Sequence, residues 1–202
     1  MQIRILYEDP QLLVCVKPRG VLSTQDASGK ENMQQLLLPR ETFPVHRLDR
    51  EATGLMVFAK TREAASFLSQ KMQSDFEKTY WAICEGLPPE IGELQDLLYH
   101  DRIRNKTYPV KRKRNGVKEA RLSYRCLEQT EGHSLLEVRL YTGRTHQIRV
   151  QFASRGFPLV GDKKYGAKAG GPLQLCSVSL RFPHPDGRML FFRLEDAPIS
   201  LL

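Results

Sequence analysis

Apolar residues along this chain recur at alternate positions or in short β-rich runs, the pattern of strands rather than of long amphipathic helices. Such runs lie at residues 3–7, 12–17, 55–60, 78–85, 120–127, 135–141, 173–180 and 189–194. Turn formers bound them, among them Asp9-Pro10, Arg19-Gly20 and Gly86-Leu87-Pro88-Pro89. Two stretches carry helical spacing instead. Residues 61–73 open on Thr61 as an N-cap and place Ala64, Ala65, Phe67, Leu68 and Met72 on one broad face. Residues 144–155 set Ile148 and Phe152 four apart, with Gly156 as a C-cap. Many strands and few, separated helices predict an α+β fold, a mixed and mostly antiparallel sheet with flanking helices. Regular βαβ alternation is missing, and no glycine-rich loop follows a strand, which excludes the common nucleotide-cofactor folds. No repeat, low-complexity tract or long linker divides the 202 residues, so a single domain over 1–202 is expected.

At 41% hydrophobic and 27% charged residues the chain can bury a core, which excludes a disordered or fibrous protein. The longest apolar run near the N-terminus, Leu12 to Val16, is shorter than a membrane span of about 20 residues or a signal-peptide core of about 7–15. A cytoplasmic protein with no membrane partner is therefore expected. Cys15, Cys84, Cys126 and Cys176 stand far apart in strand-like runs, as small buried hydrophobes do, and their spacing suits neither disulfides nor zinc.

The net charge of +8 is not evenly spread. Residues 102–125 hold ten basic side chains against one acid, Glu119, a local +9 that leaves the rest of the chain at −1. Lys111, Arg112, Lys113 and Arg114, followed by Asn115-Gly116, read as a basic turn between two strands. Such a concentration on a neutral body suits a polyanion, although a loop made basic for solubility would look the same.

Two polar clusters interrupt the apolar patterning. His46-Arg47-Leu48-Asp49-Arg50-Glu51-Ala52-Thr53-Gly54 runs into an apolar strand, and Thr142-Gly143-Arg144-Thr145-His146-Gln147-Ile148-Arg149 opens a helix. Loops at such junctions commonly carry sites, and solvated turns are the alternative. A metal held by His46 and His146 is excluded, because no further histidine or carboxylate shows ligand spacing with them.

His46-Arg47-Leu48-Asp49, with Gly54-Leu55 and Ala59-Lys60, resembles the central motif of the RluA-type pseudouridine synthases. Lys78-Thr79-Tyr80-Trp81-Ala82 with Gly86 is similar to their second motif. Residues 143–150, continuing through Gly156, Pro158, Gly161-Asp162 and Tyr165-Gly166, are similar to their third. Lys17-Pro18-x-Gly20 and His184-Pro185 match weaker signatures, so the resemblance spans about residues 5–195. It departs at Ala52-Thr53, where the family has threonine then serine, a change expected to alter loop packing rather than chemistry. The small N-terminal RNA-binding domain of many relatives is not expected here.

The resemblance implies an RNA uridine isomerase that needs no metal and no cofactor, with ribosomal or transfer RNA as partner and substrate and a monomer as the default state. It makes Asp49 the catalytic carboxylate, attacking either the uracil ring or the ribose. It makes Arg149 the ion-pair partner of Asp49, and the physics agrees that a partly dry carboxylate needs a nearby cation to stay ionised. Tyr80 matches the tyrosine set against the flipped uracil, while period-two alternation turns Trp81 to the other face. Arg47 matches the arginine that fills the vacated space in the RNA. His46, Arg144, His146 and Gln147, with Lys111, Arg112, Lys113 and Arg114, complete the expected RNA-contacting set. The two histidines are expected to order their loops. A catalytically silent RNA-binding protein of the same fold is the alternative, and a nuclease using Asp49 and the histidines is a third.

Overall fold

The computed structural model describes residues 2–72, 74–199 and 201. In chain order its elements are β1 (Ile5–Glu8), β2 (Leu12–Lys17), α1 (Met33–Leu36), β3 (Phe43–Pro44), β4 (Thr53–Ala59), α2 (Arg62–Lys71) and β5 (Glu77–Glu85). There follow β6 (Ile91–Asp101), β7 (Lys106–Val110), β8 (Val117–Thr130), β9 (His133–Leu140), α3 (Gln147–Ala153), a 3-10 turn (Lys163–Tyr165), β10 (Leu175–Pro183) and β11 (Met189–Arg193). This is the α+β class that the patterning predicts. The chain forms two compact units, Met1–Lys78 with Cys176–Ala197, and Thr79–Leu175 with Pro198–Leu202.

In the first unit β4 lies between β2, antiparallel, and β10, parallel; β1 extends β2, β11 pairs with β10, and β3 adds to β4. All seven residues of β4 are buried, which is why it reads as a continuous apolar run rather than an alternation. The parallel pairing starts at Thr53 and Gly54, directly after the polar cluster that holds Asp49. Gly54 has φ +112°, and a Cβ there would collide with the backbone of Ser177 in β10. Only glycine allows that close approach in that conformation. Helix α2 is capped by Thr61, whose hydroxyl accepts from the Ala64 amide at 3.1 Å, and it buries Ala64 and Leu68. Its expected last residue, Gln73, lies outside the described residues.

In the second unit the strand order is β5-β9-β8-β6-β7, and the β9-β8-β6-β7 pairings are antiparallel. One face of this sheet presents Leu98, Ala120 and Tyr124 to α3, where Val150 and Phe152 pack. The patterning missed β6 and β7. In β6 the apolar residues Ile91, Leu94, Leu97 and Leu98 stand at helical intervals, because one strand face is exposed and carries apolar side chains as well.

Two further differences bear on the site. Helix α3 starts at Gln147, three residues later than expected, because His146 takes a left-handed conformation, φ 54° and ψ 25°. The basic segment at Lys111–Arg114 is no hairpin turn. β7 and β8 flank β6 on opposite sides, so the segment crosses over β6. The Arg114 guanidinium then stands 5.0 Å above the Tyr99 ring.

Candidate active site

The Asp49 loop is fastened on both sides of that residue. Leu48 donates its amide to the Ser23 hydroxyl at 2.9 Å, and its carbonyl accepts from the same hydroxyl at 2.8 Å. The Arg50 carbonyl accepts from the Gly20 amide at 2.9 Å and from Lys17 Nζ at 3.0 Å. Lys17 is fully buried; its ammonium donates also to the carbonyls of Pro18 and Val21, at 2.8 and 2.7 Å. Burial lowers its pKa to about 8, while Glu51 and Asp49 nearby favour the charged form. Thr53, the residue type that departs from the family pattern, is used here: its hydroxyl donates to the Lys17 carbonyl at 2.7 Å. Three carbonyls around one buried ammonium thus join the Lys17–Val21 turn to the Asp49 loop. The sequence flags Lys17 and Gly20 but not this connection, which requires the long-range fold.

His46 stands at the foot of the same loop, with Nε2 accepting from the Val57 amide of β4 at 3.2 Å. An accepting Nε2 requires a neutral ring, and burial, aided by the Lys78 ammonium, lowers the pKa to about 3. Unfolded histidine titrates near ~6.5. The stabilisation from a neutral His46 is therefore complete above that pH and is lost as pH falls from about 6.5 toward 3. Urea unfolding at pH 7.5, 6 and 5 checks this. The wild type should lose stability across the series, by at most ~1.4 kcal/mol per unit below pH 6.5, and His46→Gln should show a shallower slope. Equal slopes would rule out the neutral imidazole accepting from Val57. Arg47 beside it is exposed, and Asp49 is half-buried.

In the second unit α3 carries Arg149, buried, with Nε and Nη2 donating to the two oxygens of Asp162 at 2.6 and 2.8 Å. Asp162 is itself buried. The Tyr165 ring lies 5.2 Å beneath the Arg149 guanidinium. Tyr165 in turn is held by its hydroxyl, which accepts from the Thr107 amide at 2.9 Å and bonds His146 Nδ1 at 2.9 Å. Thr107 donates to the Thr145 carbonyl at 2.8 Å. This network holds His146 in its left-handed conformation, a strain that persists only when the surroundings over-determine it. Gly161 serves Asp162 as Gly54 serves β4: φ is +78°, and a Cβ would strike the Pro172 carbonyl.

The other expected contacts divide into inward and outward groups. Gln147 is buried; its Oε1 accepts from the Thr142 hydroxyl and the Arg144 amide, and its Nε2 donates to the Arg121 carbonyl at 3.1 Å. His146 is buried too. Both order the loop rather than face solvent. Arg144 lies half-buried with Nε donating to the Glu119 carbonyl at 2.8 Å, while Lys111, Arg112, Lys113 and Arg114 are exposed. Tyr80 is buried in β5. The roles of Asp162 and Tyr165 escaped sequence reasoning, although the third motif contains both.

A family model described as RNA pseudouridylate synthase matches residues 11–154, which contain Asp49, Tyr80 and Arg149. The chain belongs to the RNA pseudouridylate synthase family. The match agrees with the RluA-type motifs. The ribosomal large subunit pseudouridine synthase D of Pseudomonas aeruginosa is 36% identical over 180 residues, covering 83% of this chain and 55% of that protein. An uncharacterized RNA pseudouridine synthase of Aquifex aeolicus is 34% identical over 226 residues, covering 96% and 69%. The chain thus spans little more than half the length of several curated relatives. Among solved structures, human RNA pseudouridylate synthase domain containing 4 has a TM-score of 0.81 at 24% identity, covering 96% of this chain and 88% of that one. It shares the fold of this synthase-family chain.

Proposed function

We propose that this chain isomerises uridine to pseudouridine within ribosomal or transfer RNA, in the cytoplasm and as a monomer, with both units forming one catalytic domain. The family match across Asp49, Tyr80 and Arg149 carries the reading. The names of relatives that act on the ribosomal large subunit favour ribosomal RNA. The uridine leaves the base stack, at a cost of a few kcal/mol, with Arg47 filling the space it vacates. Asp49 attacks a carbon of the uridine, on the base or on the ribose. The glycosidic nitrogen–carbon bond breaks, the uracil turns, and a carbon–carbon bond forms to the ribose. The ring carbon then loses its proton and Asp49 is released. Atoms balance without water or a redox partner. Arg149 is the ion-pair partner that the family resemblance gives Asp49, and its fork is held by Asp162. Tyr80 lies against the uracil and handles the ring-carbon proton.

RNA contacts come from the exposed groups Arg47, Lys111, Arg112, Lys113 and Arg114 and from Arg144, whereas His46, His146 and Gln147 shape the loops behind them. Neutralising the four residues Lys111–Arg114 should weaken RNA binding and flatten its logarithmic salt slope by up to ~0.7–0.9 per lost phosphate contact. An unchanged slope would return that segment to a solubility role. The function itself is tested by a pseudouridine map of total RNA from cells lacking the protein, complemented with wild type or Asp49→Ala. Loss of particular pseudouridines, restored by wild type alone, is the expected result. A protein that binds RNA yet forms no pseudouridine on RNA from the deleted strain would be the silent relative instead.

A further inference from the structure

The sheet of the second unit has a second face, turned away from α3, which no step of the proposed reaction uses. Strand register sets its membership. Tyr99 pairs with Val117 and Tyr108, and Gln95 pairs with Arg121. Ser123 pairs with Arg139, and Tyr141 follows β9 with its amide donating to the Arg121 carbonyl at 3.1 Å. Paired residues point to one side of a sheet, so Tyr99, Tyr108 and Tyr141 share this face with Arg121 and Arg139. Each tyrosine has a cation over its ring: Arg114 on Tyr99 at 5.0 Å, Lys106 on Tyr108 at 5.8 Å, and Arg121 and Arg139 on Tyr141 at 4.8 and 5.8 Å. Tyr141 is 42% exposed and is steadied by a 3.0 Å hydrogen bond between its hydroxyl and that of Ser123.

The charge on this face is complementary to a polyanion. Its acids Glu93, Asp101, Glu119 and Glu137 are each already paired, with Arg121, Arg104, Lys113 and Arg125. The crossing segment Lys111–Arg114 lies over the same face at Tyr99, so the strongest positive stretch of the chain and the tyrosines form one continuous surface. An exposed ring at Tyr141 and half-buried rings at Tyr99 and Tyr108, interleaved with arginines, suit an unpaired strand of nucleic acid, since every base has a face to stack and every nucleotide a phosphate to neutralise. A folded protein partner would instead require an interface centre depleted of charge, whereas a lysine or arginine stands beside each tyrosine of this face.

The geometry points to this outer face as a binding platform for single-stranded RNA, with bases stacking at Tyr99 and Tyr141. The inference deepens the reading of the chain as an RNA-modifying enzyme, and rests on it for the choice of RNA. Four residues along a strand and two strands across put the two tyrosines roughly 17 Å apart, a span of several nucleotides. The platform would hold the unpaired RNA that flanks the target uridine, so substrates whose target lies in an extended loop or tail should be preferred over fully paired ones.

The test uses the full chain and a labelled oligouridine of about ten nucleotides, against the same strand annealed to oligoadenosine. Wild type should bind the single strand more tightly than the duplex. Tyr99→Ala and Tyr141→Ala should each weaken single-strand binding about 5- to 100-fold, while Tyr99→Phe and Tyr141→Phe stay within about twofold of wild type. The salt slope of the tyrosine variants should not change, because no phosphate contact is removed. Tyr141 lies just past the end of β9 and half in solvent, so Tyr141→Ala gives a readout even if Tyr99→Ala unfolds. Wild-type affinity in Tyr141→Ala, equal weakening by alanine and phenylalanine, or no preference for the single strand would each overturn the platform. Pseudouridine formation is scored separately on total RNA. A chain with the expected binding pattern but no isomerisation would overturn the proposed activity and leave the platform standing; active enzyme with wild-type binding in both alanine variants would do the reverse.

Discussion

Asp49→Ala should bind RNA within about twofold of wild type and form pseudouridine at a rate lower by a factor on the order of 10⁴ or more, the scale seen when a covalent nucleophile is removed. The loop should survive the change. Its anchors act on the backbone of Leu48 and Arg50 through Ser23, Gly20 and Lys17, and the turn closes through the Asp49 carbonyl, which accepts from the Ala52 amide at 3.1 Å. Each of those bonds is made to a backbone atom of the loop, not to the Asp49 carboxylate. The measurement is chemical mapping of pseudouridine under saturating enzyme, with binding followed separately. An isomer has unchanged mass, so mass alone cannot report the product. Turnover by Asp49→Ala would remove Asp49 from the nucleophile's role, whereas loss of RNA binding would make its side chain part of the RNA interface.

Asp162→Ala should cost about 3–5 kcal/mol of stability, because it breaks the buried Arg149–Asp162 ion pair by removing one partner. Arg149 loses two charge-assisted hydrogen bonds at once, of 2.6 and 2.8 Å, and with them the geometry of its fork. Activity should fall with it, through positioning rather than contact with substrate. The double variant Asp162→Ala/Arg149→Leu separates the two effects. Removing both charges should restore much of the stability, since a buried pair often does no better than apolar packing. Activity should not return if Arg149 has the role proposed for it, because leucine supplies no cation. Denaturant unfolding and pseudouridine formation are the two readouts. A loss below about 1 kcal/mol in the single variant would mean that water reaches Arg149 and the pair is not buried in solution.

How far the sequence carried the fold can be judged element by element. β2 was read at its observed bounds, and β4 within two residues, because a strand buried on both faces leaves an unbroken apolar run. β6 escaped because its exposed face is partly apolar, which replaces a period of two by helix-like intervals. The crossing of Lys111–Arg114 over β6 could not be read locally, since a basic turn looks the same whichever strands it joins. α3 was located but begun too early, because the left-handed conformation of His146 is imposed by Tyr165 and Thr107, residues far along the chain.

The same division runs through the candidate site. Residue types in order, with Asp49, Tyr80 and Arg149 each inside a motif, were enough to identify the family, because the chemistry constrains which side chains occur and the local loops constrain their spacing. The supports were not legible. That Lys17 would bury its ammonium among three carbonyls, that Asp162 would fix Arg149, and that Gln147 would turn inward all depend on segments brought together across tens of residues. Sequence by itself determined the chemical groups, the family and most strand positions, through local periodicity and motif spacing. Tertiary structure alone decided which polar groups are buried, what they pair with and which face of the sheet remains open, because burial and partnership are properties of long-range packing that no local pattern encodes.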